Sequence, residues 1–260
     1  MLANITRLDL RLRRRSAIGY AAGMALYTLI VVALYPSFKN STSLDSLSGS
    51  TAAALFGVTG KLTSSSGWLN GNVYGNFFPL IMLLMTIGYG AACLTGQDED
   101  GTLALIVALP MRRRAILGQK LCAMAVQALL LAAATTACVI IGRGFQLTVS
   151  AGDAVAIAAS LTLMGLDFGL VTMAIGSFTG RRGSALGIAS ALAAASYLLN
   201  SLASTISAIR PGRYLSLFYW SVGNDQITNG VSVGDFAVLV GAGLCALTAA
   251  VIAFRGADLN

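Results

Sequence analysis

Histidine is absent from this chain. That removes the commonest general acid–base group and the commonest metal ligand. Charge is also scarce: 10% of the 260 residues are Asp, Glu, Lys or Arg, against about 25% in soluble domains. Cysteine is limited to Cys93, Cys122, Cys138 and Cys245. All four lie in apolar runs without CxxC spacing, so they read as small hydrophobes, not as disulfide or metal sites. A nucleotide-binding loop is missing too. Gly60-Lys61 approaches one, but Leu55 and Leu62 stand where the motif needs Gly and Ser or Thr. An embedded aspartyl or zinc enzyme needs a convergent cluster of catalytic groups. One carboxylate deep in an apolar run and no histidine cannot supply it.

Apolar residues are what the chain has in abundance: 56% are hydrophobic, and the mean hydropathy is +0.77. They fall into six runs, about 17–35, 77–94, 121–141, 154–178, 184–207 and 236–254. Each is close to the roughly 20 residues needed to cross a bilayer as a helix. The first run exceeds the core of a signal peptide and is expected to be retained. The expected fold class is all-α integral membrane, one domain over residues 1–260 with six transmembrane helices. Residues 1–16, with Arg7, Arg11, Arg13, Arg14 and Arg15 among leucines, suit a basic interfacial helix. Residues 37–76, rich in Ser, Thr, Gly and Asn, are expected to form a long loop. Residues 208–233 carry Pro211, Gly212, Tyr214, Phe218, Tyr219 and Trp220, the composition of an interfacial aromatic belt.

With six crossings, twelve of the 17 Lys and Arg residues lie on one side and five on the other. The basic side is expected to be cytoplasmic, with both termini there. This placement accounts for the +7 formal charge without invoking nucleic acid.

The stretch Thr95–Lys120 differs from everything around it. Asp98, Glu99 and Asp100 precede Gly101, Thr102 and the apolar run Leu103–Leu109; Pro110 and then Arg112, Arg113 and Arg114 follow. Acid in front and base behind suit the helix dipole, and the apolar run is far too short to span. A surface helix over residues 95–114, between the second and third spans, is expected. Leu103, Ile106 and Val107 share one face of it.

Asp167 is the one charged residue well inside an expected span, so it must face protein or water. It either lines a transport path or sits protonated or hydrogen-bonded between helices. Asn200, in the fifth run, is the other polar candidate for a path. Gly19/Gly23, Gly165/Gly169, Gly176/Gly180 and Gly183/Gly187 have the spacing that lets helices approach closely.

The order acidic cluster, Gly101-Thr102-Leu103, apolar run, Pro110, arginine cluster and Lys120 resembles the permease subunit of ABC-2 type ABC transporters. The basic N-terminal segment, the six spans and the polar stretch before the last agree with it. The tail Phe254-Arg255-Gly256-Ala257-Asp258-Leu259 matches in part, since Ala257 stands where the family usually has a basic residue. The resemblance implies two permease copies, or a copy and a paralogue, docked on two ATP-binding cassette subunits in the plasma membrane. Asp98, Glu99, Asp100, Gly101, Thr102, Leu103, Arg112 and Arg113 would belong to a cytoplasmic coupling helix contacting the ATPase. Arg11, Arg13 and Arg14 would divide between lipid phosphates and the docking surface. Residues 208–233 would form re-entrant outer helices. ATP and Mg would bind the partner, with no cofactor and no catalytic residue on this chain, and export is the usual direction. The alternative is an ion-coupled carrier or channel working without an ATPase, for which the chain shows no internal repeat.

Overall fold

Six stretches become helices long and apolar enough to cross a membrane. The computed structural model describes residues 4–41, 61–93, 113–223 and 226–256, and every regular element among them is helical. The first helix, Asn4–Phe38, is continuous. At 1.5 Å per residue it is about 50 Å long, longer than the roughly 30 Å hydrocarbon core. The basic N-terminal residues and the first span are therefore one rod, whose basic end has room to project beyond the apolar layer.

The second span begins at Ser65, not near Phe77, which corrects the expected loop over its last part, residues 65–76; residues 42–60 lie outside the described residues. It runs as an α-helix Ser65–Leu69, a π-helix Asn70–Phe77 and an α-helix Phe78–Ala91. Ser64 caps it by accepting from the Gly67 amide. Its polar first half is tolerated because it is buried in protein. Ser65 Oγ donates to Tyr35 Oη, and Trp68 Nε1 donates to the Val31 carbonyl. Tyr27 Oη donates to the Asn72 carbonyl, a group in the π-helical stretch, where the usual ladder is altered.

The third helix, Arg113–Ile141, starts earlier than the apolar run near Leu121. Its first turns are amphipathic: Arg114 is exposed while Ile116 and Leu117 are buried. The 3₁₀ turn Gly142–Phe145 leads to the fourth helix, Ala151–Thr179, capped by Ser150 and ended by Gly180 in the left-handed region. The fifth helix is Arg182–Thr205 and the sixth is Val233–Gly256. Between them lie a 3₁₀ segment Ser207–Leu215 and short helices Leu217–Ser221 and Gln226–Asn229.

The fourth helix is the axis, packing on the second, third, fifth and sixth. In its most apolar window 67% of residues are buried, against 22% for the fifth and sixth helices, which leave most of their surface to lipid or another chain. Close approach depends on two glycines of the fourth helix. A Cβ at Gly165 would collide with Met82 of the second helix, and one at Gly169 with Met124 of the third. By contrast, a Cβ at Gly19, Gly23, Gly183 or Gly187 would meet nothing within 4 Å among the described residues.

Candidate functional site

The bundle has two ends. Residues 4–16, 89–93, 113–120, 179–182 and 254–256 belong to what is termed the proximal end. Residues 38–41, 61–65, 142–151 and 206–233 belong to the distal end. In sequence, residues 94–112 fall between the second and third helices, whose described ends at 89–93 and 113–120 are both proximal.

A buried polar cluster brackets that segment. Asp9 is 3% exposed and Lys120 is 0% exposed, with Lys120 Nζ 3.3 Å from Asp9 Oδ2. Tyr89 Oη, from the last turn of the second span, donates to the same oxygen at 2.7 Å. The Arg13 guanidinium lies 4.7 Å from the centre of the Tyr89 ring. Asp9 and Arg13 are one helical turn apart, so one face of the first helix presents both. Gln119 extends the contact: its Oε1 accepts from the Ile5 amide, and its carbonyl accepts from Thr6 Oγ1. The Ile5 bond satisfies a donor that a helix N-terminus leaves open. Beneath the cluster Tyr89, Leu117, Met124, Met173 and Phe254 form a proximal core. Three chain segments are thus tied together around one carboxylate in a region of low polarity, where such bonds are strong.

The expected coupling residues Asp98, Glu99, Asp100, Gly101, Thr102, Leu103 and Arg112 lie outside the described residues. Arg113 opens the third helix, so the last two positions of the expected 95–114 segment belong to that helix. Among the N-terminal arginines, Arg11 and Arg14 are exposed, while Arg13 is partly buried against Tyr89. Asp9 and Tyr89 were missed by sequence reasoning. The available signal was an acid amid five arginines, four residues before Arg13.

A second feature is a groove of about 460 Å³ between the second and fifth helices. Leu80, Leu84 and Ile87 form one wall and Leu186, Ala193 and Tyr197 the other. Among the described residues no charged side chain lines it. Tyr197 Oη donates to Asn76 Oδ1 at 2.9 Å, linking the fifth helix to the π-helical stretch of the second. The size and apolar lining suit a lipophilic ligand or a packed helix.

Asp167 and Asn200 are not brought together, and neither lines this groove. Asp167 is 4% exposed and faces the sixth helix, where a Cβ at Gly243 would lie 2.5 Å from its Oδ1. Its Oδ2 has no hydrogen-bond partner among the described residues. Asn200 meets Gly223 at the distal end. Among the described residues no group of three or more His, Cys, Asp or Glu side chains could hold a metal ion.

The distal end carries the expected aromatic cluster. Tyr214 and Tyr219 meet edge to face at 5.1 Å, and Trp220 Nε1 donates to the Tyr214 carbonyl. Arg213 sits over both tyrosine rings, at 5.0 and 4.7 Å, and its Nη2 donates to Tyr214 Oη. That bond and the arginine charge hold the Tyr214 hydroxyl below its ordinary pKa. Burial pushes the Tyr219 hydroxyl up.

Residues 3–259 match the family model described as ABC-2 family transporter protein. No match was found among curated proteins.

Proposed function

Since the chain belongs to the ABC-2 transporter family, we propose that it is the transmembrane permease subunit of an ATP-driven exporter. Two such subunits, identical or paralogous, work with separate ATP-binding cassette subunits, which bind ATP and Mg. The basic proximal end faces the cytoplasm of a cell bounded by the plasma membrane, as the twelve-to-five distribution of Lys and Arg supports. The coupling helix lies in the stretch expected over residues 95–114, whose last two positions open the third helix, with Asp98 to Leu103, Arg112 and Arg113 at the ATPase. Residues 208–233 are the outer, re-entrant pieces. The uncharged groove between the second and fifth helices is the candidate substrate surface, and the unoccupied faces of Gly19/Gly23 and Gly183/Gly187 are available to a second copy.

One observation carries the mechanical part of this reading. The segment between the second and third spans is anchored on both sides by residues, Tyr89 and Lys120, that share one buried carboxylate with the first helix. A push on residues 94–112 therefore reaches three membrane helices at once. Closure of the ATPase pair would move that end of the bundle and alternate access of the groove between the two sides.

Co-purification in mild detergent tests this. The wild-type chain is expected to bring down an ATP-binding cassette protein with ATPase activity. Replacing Asp98, Glu99 and Asp100 with Asn, Gln and Asn is expected to weaken that association or uncouple hydrolysis from export. Recovery of a transport-competent chain with no associated ATPase would sink the proposal.

A further inference from the structure

We propose that Arg210, Arg213, Tyr214 and Tyr219 form a binding platform for the phosphate of an anionic phospholipid headgroup at the distal membrane surface. Arg210 and Arg213 are three residues apart in the 3₁₀ segment Ser207–Leu215, where positions i and i+3 eclipse. Both cations are thereby brought to one face. Tyr214 and Tyr219 fix the Arg213 guanidinium, contacting it at 5.0 and 4.7 Å. A guanidinium held against two aromatic rings loses little freedom when it binds a phosphate.

The distal cations are not equivalent. Arg143 donates to the Val149 carbonyl and Lys39 to Gln146 Oε1, so both close the turn between the third and fourth helices. Arg210 is exposed and makes no hydrogen bond among the described residues. The nearest acid that influences Tyr219, Asp235, is 6% exposed, and its Oδ2 already accepts from Gln226 Nε2 and the Ser232 amide. It is therefore committed elsewhere. The flanking residues identify the ligand as a lipid and not a soluble anion. Ile206 is 41%, Tyr214 51% and Leu215 86% exposed, giving an apolar rim around two arginines. That combination belongs at a headgroup boundary, where aromatic and aliphatic side chains enter the acyl region beside paired cations. The platform does not depend on the chain's partnership with an ATPase.

The test uses the full chain in nanodiscs of phosphatidylcholine with and without phosphatidylglycerol, followed by native mass spectrometry of retained lipid. Wild type is expected to retain phosphatidylglycerol over phosphatidylcholine. Arg210→Gln/Arg213→Gln is expected to lower that retention about thirtyfold, from two cations near an anionic surface. Arg213→Lys keeps the charge but not the planar guanidinium, and is expected to fall between them. Equal retention of the two lipids by wild type would overturn the platform, and this arm stands even if the double variant does not fold. Unchanged phosphatidylglycerol retention by a well-folded double variant would also overturn it. Displacement of the lipid by soluble glycerol phosphate at matched concentration would overturn the lipid assignment.

Discussion

Replacing Lys120 with Met is the sharpest test of the proximal cluster. Methionine keeps most of the side-chain length and packing of lysine but removes the ammonium 3.3 Å from Asp9 Oδ2. Asp9, at 3% exposure, would then hold a buried carboxylate with the Tyr89 hydroxyl as its remaining close donor. Breaking a buried pair from one side costs about 3–5 kcal/mol, whereas replacing both partners with apolar groups is often neutral. Arg13 lies against the same tyrosine ring and offers partial compensation, so the lower bound of about 3 kcal/mol is expected. For a chain of this size that corresponds to a fall of roughly 6–12 °C in the unfolding midpoint. Asp9→Leu/Lys120→Met is expected to recover most of it. The assay is thermal unfolding in one detergent, read by tryptophan fluorescence and by loss of the monodisperse chromatographic peak. A Lys120→Met chain within about 1 kcal/mol of wild type would refute the reasoning. So would a double variant no more stable than the single one, because the penalty would then not arise from a stranded charge. The same variants, assayed for ATP hydrolysed per substrate exported, separate stability from coupling: a folded double variant that hydrolyses ATP without export places the ion pair in the transmission path.

Three further outcomes are expected. Gly243→Ala sets a Cβ 2.5 Å from Asp167 Oδ1 and is expected to lose about 1–3 kcal/mol of stability by overpacking; Asp167→Ala in the same chain should restore it, as thermal unfolding would show. Gly165→Leu and Gly169→Leu are expected to abolish the monodisperse folded chain in detergent, since Met82 and Met124 occupy the space. Gly183→Leu should leave the isolated chain folded, because nothing lies within 4 Å of that glycine; equal behaviour of all three would refute the packing assignment. Arg213→Gln removes the bond and the charge that favour the Tyr214 phenolate, so Tyr214 is expected to ionise at higher pH. Ultraviolet titration at alkaline pH, with Tyr214→Phe as the blank, checks the sign: the variant must titrate later than wild type.

The number of spans and their order were legible in the chain, because a bilayer demands about 20 apolar residues per crossing and that is a local property. Arg181-Arg182 likewise mark the turn after the fourth span locally, whereas its Ser150 and Gly180 caps emerged only in the structure. The start of the second span did not, since Ser65, Asn70, Asn72 and Asn76 look like loop residues until the fold buries Ser65 and Asn70 and brings Tyr35, Tyr27 and Tyr197 of other helices to bond Ser65, the Asn72 carbonyl and Asn76. The Gly165/Gly169 spacing was no different from three other glycine pairs; only packing singled it out. Asp9 drew no notice among its arginines, and Lys120 stood only as the base that opens the third span. Their partnership spans 111 positions of sequence. Local hydrophobicity decides how many helices cross and roughly where they stop. Which faces meet, and therefore which charges are removed from water together, is a property of the assembled bundle, since it depends on contacts between residues that no local pattern connects.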